Sequence, residues 1–319
     1  MKNKKKILIC GATGFIGKNL VEKFSENENY EILATYFKTD PHIKKKNIKW
    51  IKADLRNQKV TDKVTKNVDI IIQAAATTSG AKDIINKPYH HVTDNAIMNS
   101  YLLRSSFENK IKHFIFFSCT VMYPSSKKKI KETDFNPNKS IFEKYYGVAK
   151  TKLYVEDMCK FYSKISKIKF TCIRHTNVYG PHDKYDLEKS HFFGATITKV
   201  LEAKKEVVIW GHGTEKRDLI FIEDLVNFVK LTIIKQKQNF KIYNCGLGKF
   251  YSINELTKKI IKKSKKKLTI NHDLNKPTIK TFLKLDCSEA RKQIGWKPRT
   301  SIDTGILKTI EWYKKNIKL

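Results

Sequence analysis

Three observations predict the fold class, a doubly wound parallel α/β sheet with a smaller C-terminal α+β substrate lobe. Short apolar runs alternate with amphipathic segments through the first half of the chain, the pattern of β-α-β units on a parallel sheet. A glycine-spaced turn, Gly11-Ala-Thr-Gly14-Phe-Ile-Gly17, links the first apolar run to the first amphipathic one. Beyond about residue 175 the alternation loosens.

In chain order, "KILIC" (6–10) reads as a buried strand, and "FIGKNLVEKF" places Phe15, Ile16, Leu20, Val21 and Phe24 on one helical face. Strands follow at 30–37, 48–53 and 68–76, then a helix over about 92–109, a strand at 113–119, a long helix over about 144–164 and the strand "KFTCIRH" at 169–175. The second half predicts a helix over about 194–204, the short strand "VVIW" and the turn "GHGTEKRD". "FIEDLVNFVKLTI" is amphipathic and predicted to pack back on the sheet, whereas "SINELTKKIIKKS" and "DTGILKTIEWYKK" belong to the terminal lobe. The expected division is therefore a nucleotide-binding domain over 1–174, joined by 216–245, and a substrate-binding lobe over 175–319.

Lys and Arg number 64 against 31 Asp and Glu, for a net charge of +33. Such an excess ordinarily points to nucleic acid or a membrane surface. Here only Arg56, Arg104, Arg174, Arg217, Arg291 and Arg299 are arginines, and the 58 lysines spread over nearly every predicted surface. Without guanidinium forks or local clusters interleaved with aromatics, the charge reads as lysine-rich solvated faces, and no nucleic-acid partner is expected. Six cysteines (Cys10, Cys119, Cys159, Cys172, Cys245, Cys287) form no CxxC pair, so neither a metal site nor a disulfide framework is expected, and a reducing cytoplasm fits. Glycines interrupt the apolar run of the basic N-terminus, against a signal peptide, and no stretch is long enough to span a bilayer.

The glycine turn carries the first chemical prediction. Glycines at this spacing allow a tight turn, bring backbone N–H groups close to a pyrophosphate and pack helix on strand, with the helix N-terminus favouring the anion. This is a Rossmann-type dinucleotide site. The second strand ends "ATYFKTD" with no carboxylate before Asp40, and Lys38 is placed to pair with a 2′-phosphate, favouring NADP with NAD as the alternative. Asp54, after the third strand, is either an acceptor for the adenine amino group or a helix cap. Tyr146 and Lys150 stand one turn apart on a helix face, where a cation stabilises phenolate and suits the phenol to proton transfer. Tyr145 is an adjacent competitor. In "FFSCTVMYP" a cysteine, Cys119, lies where a buried strand opens toward the ligand edge of the sheet, and nucleophile, acid and filler are all open.

Together, Gly11 to Gly17, Asp54, "AAA" at 74–76, Asn95, "SCTVMYP", Tyr146xxxLys150, "NVYGP" and "RDLIFIEDL" resemble the extended short-chain dehydrogenase/reductase family of nucleotide-sugar epimerases, dehydratases and reductases. Within it, "NVYGPHDKYDLEKSHFF" and "VVIWGHGTEKRDLIFIEDL" are most similar to the GDP-L-fucose synthases. The resemblance implies hydride transfer at C4 of a nucleotide-linked, GDP-linked 4-keto-6-deoxy sugar. Tyr146 and Lys150 would handle the proton, aided at the adjoining strand end by Cys119 or Thr120. Cofactor contacts are implied at Gly11, Thr13, Gly14, Phe15, Ile16, Gly17, Lys38, Asp54, Leu55, Ala74, Ala75 and Ala76, and at Tyr146 and Lys150. Substrate contacts are implied at Asn177, His191, Lys199, Trp210 and Arg217, with His191 also an acid in C3/C5 epimerisation.

Several positions depart from the family pattern. Cys119 occupies the family's Ser/Thr position, with Thr120 as the neighbouring hydroxyl, Val121 replaces the epimerisation cysteine, and Lys199 replaces an arginine. A homodimer through the Asn95 and Tyr146 helices is implied. The rival readings are a 4-epimerase with tightly bound NAD and, from another class, a non-catalytic NADP-sensing or nucleic-acid-binding protein supported only by the charge.

Overall fold

The computed structural model describes residues 4–41, 43–77, 88–138, 141–187, 190–276, 278 and 281–317. Seven parallel strands form the main sheet: β1 (Lys5–Cys10), β2 (Tyr30–Tyr36), β3 (Ile48–Lys52), β4 (Ile70–Gln73), β5 (His113–Phe117), β6 (Lys169–His175) and, after a long excursion, β11 (Phe240–Cys245). Their spatial order is β11-β6-β5-β4-β1-β2-β3, so the winding reverses between β1 and β4. At such a reversal the chains leave the sheet in opposite directions and open a crevice at the carboxyl ends of the strands.

The strands read as unbroken apolar runs because helices cover both faces. Ile7 and Ile9 of β1 enter one core cluster, Leu8 and Cys10 the other. Helix α1 (Phe15–Phe24) lies on the first face, burying Leu20, Val21 and Phe24. Helices α2 (Gln58–Thr65), α3 (Pro88–Glu108) and α4 (Tyr146–Ile165) carry Val64, Leu102 and Val155 onto the second.

The remaining elements are β7 (Asn177–Tyr179), α5 (Phe192–Glu202), β8 (Glu206–Trp210), β9 (Lys216–Arg217), β10 (Leu219–Phe221) and α6 (Ile222–Lys235). After β11 come β12 (Tyr251–Ser252), α7 (Ile253–Ser264), β13 (Thr269–Asp273), α8 (Ser288–Ile294) and α9 (Ile302–Asn316). Three small pairs, β7–β10, β9–β12 and β8–β13, support this part. Buried Trp296 donates its indole N–H to the Asp224 carbonyl at 3.0 Å, and the Asp224 carboxylate accepts from the backbone N–H groups of Arg299 and Thr300 at 3.0 and 2.9 Å. These bonds staple the C-terminal segment to α6, which runs beside α1.

Two expected strands prove shorter than their apolar runs. β5 ends at Phe117 rather than Cys119: Ser118 N–H still donates to the Ile173 carbonyl at 2.8 Å, and the chain then bends so that Tyr123 N–H reaches the Thr120 carbonyl at 3.0 Å. β4 ends at Gln73 rather than residue 76, because Ala75 N–H folds back onto the Gln73 side chain at 3.2 Å. α3 begins at Pro88, where a missing N–H costs nothing.

Gly17 is where helix meets strand end: a Cβ there would lie 2.1 Å from the Gly11 carbonyl oxygen and 2.8 Å from Ala12 Cα, both backbone atoms. Gly17→Ala should therefore lower unfolding free energy by about 1–3 kcal/mol through overpacking; urea denaturation showing wild-type stability would contradict this packing.

Candidate active site

The crevice at the winding reversal is walled by backbone. Gly11 holds φ +68°, a conformation glycine adopts without strain, and its N–H donates to Thr35 Oγ1 at 3.1 Å. A Cβ on Gly11 would lie 2.5 Å from Ala75 Cα. Gly14 then serves as the N-cap of α1 in extended geometry, with no side chain capping the helix. Its first-turn N–H groups and positive dipole end are left for an anion at the mouth of a glycine cradle, which fits a dinucleotide pyrophosphate.

The opposite wall, Ala74 to Thr77, is held by α3. Thr77 N–H donates to Asn95 Oδ1 and Asn95 Nδ2 to the Thr77 carbonyl, each at 3.0 Å, while Gln73 Nε2 donates to Asn99 Oδ1 at 3.1 Å. Asn95 thus braces the cradle.

Beyond β2 and β3 lies a polar shelf. Asp54 takes a bidentate pair from Arg56, Nε to Oδ1 at 3.0 Å and Nη2 to Oδ2 at 2.8 Å, and the Arg56 hydrogen bond holds its carboxyl below the usual range. Arg56 also reaches Asp94 at 3.1 Å. Lys38 and Arg56 both approach the exposed Phe37 ring, at 5.9 and 5.5 Å from its centroid. Leu55 is buried between these polar neighbours.

Tyr146 opens α4 with 56 % of its surface exposed, and Lys150 Nζ stands 5.5 Å from its ring centroid, so the pair shares a solvent-facing side. Tyr145, in the short 3-10 turn Glu143–Tyr145, lies the other way: burial raises its pKa, and neighbouring Arg217 pulls it down. Arg217 Nη1 donates to Thr281 Oγ1 at 2.6 Å and to the Thr281 carbonyl at 3.0 Å. Asn177, exposed at the start of β7, donates to the Asp218 carbonyl at 3.3 Å. Buried Asp218 accepts from the N–H groups of Leu247 and Leu285, each at 3.0 Å, and so pins the loops beside Arg217.

Cys119 stands beyond β5 among groups that are remote in sequence. Lys152, Arg174 and Glu156 all act on it electrostatically. No cationic residue neighbours this thiol in sequence; the fold brings two. Burial still dominates and holds the thiol's pKa above its ordinary value, against the pull of Lys152, so Cys119 is a protonated thiol and a poor nucleophile. Thr120 is partly exposed next to it.

His191 is the N-cap residue of α5, exposed at its surface, and the protein around its imidazole, with help from Lys184, lowers its pKa. It lies within electrostatic reach of His175, whose pKa is pushed down to about 4 by burial and whose Nδ1 is 2.8 Å from the Thr176 carbonyl. Lys199 donates to the Val208 carbonyl at 3.0 Å and stands 5.6 Å from the Trp210 ring centroid, with Lys276 at 5.9 Å from the same ring. Trp210 is half exposed, a shelf flanked by two cations.

Sequence reasoning passed over Arg56, Lys152, Glu156 and Arg174. Only Arg56 carried a local signal, adjacency to Asp54 in "ADLRN". No cluster of His, Cys, Asp and Glu able to hold a metal occurs among the described residues.

Residues 7–246 match the model of the NAD dependent epimerase/dehydratase family. The chain belongs to that family. GDP-L-colitose synthase of Yersinia pseudotuberculosis is 29 % identical over 316 residues, covering 97 % of both chains. GDP-L-fucose synthase of Sinorhizobium fredii is 28 % identical over 322 residues, covering 98 % of this chain and 96 % of its own. Among solved structures, UDP-glucuronic acid 4-epimerase of Bacillus cereus, in complex with UDP-glucuronic acid and NAD, matches with TM-score 0.84 and 25 % identity over 97 % of this chain and 99 % of that one. UDP-glucose 4-epimerase of Thermotoga maritima matches in fold with TM-score 0.87 at 22 % identity, over 98 % of this chain and all of that one. The family assignment makes the protein an enzyme of the nucleotide-sugar epimerase and reductase type. No helix among the described residues is long and apolar enough to cross a membrane.

The environment of His175 sets a pH expectation. Its folded-state pKa lies below the unfolded value near 6.5, so the unfolded chain binds more protons below that pH and stability falls as pH falls toward 4. NMR titration should place the His175 imidazole near 4, and His175→Gln should flatten the acid loss of stability by up to about 1.4 kcal/mol per pH unit. A titration at or above the ordinary value would refute this assignment.

Proposed function

We propose that this enzyme is an NADP-dependent reductase acting at C4 of a GDP-linked 4-keto-6-deoxy sugar. The observation that carries the reading is the Tyr146–Lys150 pair at the head of α4, a phenol and an ammonium at helical spacing on its solvent-facing side. The names of the two bacterial synthases above support a GDP sugar. The lack of a carboxylate at the end of β2, with Lys38 and Arg56 there instead, supports the 2′-phosphate of NADP.

A nicotinamide dinucleotide held at the glycine cradle would supply the hydride that reduces C4. Tyr146 gives its proton to the C4 oxygen as that oxygen becomes an alkoxide, leaving an alcohol and a phenolate that solvent reprotonates. Lys150 stabilises the phenolate and binds the nicotinamide ribose hydroxyls. Gly11, Thr13, Gly14, Phe15, Ile16 and Gly17 hold the pyrophosphate turn, Asp54 and Leu55 border the adenine, and Ala74, Ala75 and Ala76 line the far wall. Arg217 and Lys199 take the substrate diphosphate, Trp210 offers its indole face to the nucleoside, and Asn177 and His191 contact the sugar. Val121 has no atom to move a proton, so reduction, rather than C3/C5 epimerisation, is the step assigned. Protonated Cys119 is a hydrogen-bond donor or filler beside Thr120.

The runner-up is a UDP-sugar 4-epimerase with retained NAD, favoured by the NAD complex of the Bacillus cereus neighbour. Mass spectrometry of the nucleotide carried through gentle purification separates the two: stoichiometric NAD supports the epimerase, an empty or NADP-binding site the reductase. With a GDP-4-keto-6-deoxy sugar, NADPH absorbance should fall with time, and Tyr146→Phe should cut kcat by about 100- to 10,000-fold. An unaltered Tyr146→Phe rate would remove the phenol from the chemistry. Cys119→Ser and Thr120→Val, assayed side by side, assign the hydroxyl position: collapse in the second alone makes the sulfur filler.

We also infer a homodimer through α3 and α4, whose surfaces leave Ile97, Phe107, Tyr154, Phe161 and Ile165 exposed. Light scattering should give twice the chain mass for wild type and the single mass for Phe161→Glu; a monomeric wild type would overturn the inference.

A further inference from the structure

The sheet-facing side of α4 carries two charged residues that the chemistry above does not use. Lys152 Nζ donates to the Phe117 carbonyl at 2.7 Å and stands 4.6 Å from the Phe116 ring centroid. One turn on, Glu156 accepts from Ser118 Oγ at 2.6 Å and from Arg174 through Nη2 at 2.6 Å and Nε at 3.0 Å. Both side chains of that ion pair are only 3 % exposed. Arg174 continues to the Tyr123 hydroxyl at 3.0 Å, which donates to Asn244 Oδ1 at 2.8 Å.

All these bonds grip one short segment. Phe117 and Ser118 lead into Cys119 and Thr120, and Tyr123 closes the turn with its N–H on the Thr120 carbonyl at 3.0 Å. The grip comes from the same helix that presents Tyr146 and Lys150 on its other side.

Packing alone does not require charge here. Burial disfavours the Lys152 ammonium and lowers its pKa, and apolar side chains of like volume fill such positions at no loss of stability. Directed hydrogen bonds add something apolar contact lacks: they fix the helix along its axis against the strand end, where packed methylenes allow small slides. We propose that Lys152 and Glu156 are positioning residues that set the height of Tyr146 and Lys150 against the Cys119–Thr120 turn. The inference rests on the proton-donor role given to Tyr146.

The test uses Lys152→Met in the full chain. Expected are a melting temperature equal to or above wild type, unchanged NADPH affinity by fluorescence titration, and kcat lower by about 100-fold with the GDP-4-keto-6-deoxy sugar. A second readout needs no substrate and does not depend on the charge of the thiol: hydrogen–deuterium exchange of the backbone amides of residues 117–123, followed by mass spectrometry, should accelerate several-fold. If wild type turns over no GDP sugar, the substrate reading fails and the exchange rate alone decides the positioning role. The double variant Glu156→Gln/Arg174→Met, which removes both buried charges together, should stay folded and show the same acceleration. Loss of fold in Lys152→Met, or exchange at 117–123 no faster than wild type in either variant, overturns the proposal. So does full kcat in an enzyme that turns the sugar over.

Discussion

The carboxyl ends of β1 and β4 stand so close that no side chain fits between them, and the nucleotide crevice depends on that approach. A Cβ at Gly11 would lie 2.5 Å from the Ala75 main chain, and one at Gly17 would lie 2.1 Å from the Gly11 carbonyl. The first contact joins the neighbouring strands where winding reverses; the second draws α1 down onto the turn so that its uncapped N-terminus points into the crevice. Backbone therefore builds the cradle, and side chains tune it: Asn95 braces Thr77, and Lys38 and Arg56 surround Phe37 at the adenosine end.

The sheet was legible because a parallel sheet covered on both faces favours near-continuous apolar runs, and residues 7–10 of β1, 70–72 of β4 and 114–117 of β5 supply them. The ends of β4 and β5 were not. Where an apolar run leaves the ladder depends on the turn that follows it, and the groups holding the turn after β5 are remote in sequence: Glu156, 38 residues on, accepts from Ser118 Oγ. The glycine turn and the Tyr146–Lys150 spacing were legible for the opposite reason: both are local geometry, complete within a few residues.

Lysine abundance hid the rest. With 58 lysines in the chain, Lys152 in an amphipathic helix reads as one more solvated charge, and nothing nearby marks it as turned toward the sheet. Arg174 is likewise a lone arginine inside an apolar strand until Glu156 meets it from α4. Local sequence also left Cys119 without a cation, whereas the folded thiol has Lys152 and Arg174 close by and still keeps its proton because burial outweighs them.

The two lysines of the first α4 turns show how one residue type serves opposite ends. Lys150 stays in solvent, where its charge costs little to maintain and acts on the phenol ring 5.5 Å away through a partly screened field. Lys152 gives up hydration for a single carbonyl at 2.7 Å and an aromatic face, a poor exchange by stability alone. A helix held only by Val155, Cys159 and their apolar neighbours would be packed but not indexed along its axis. The residue that makes α4 a less economical core element is thus the one proposed to fix how far Tyr146 stands from the end of β5.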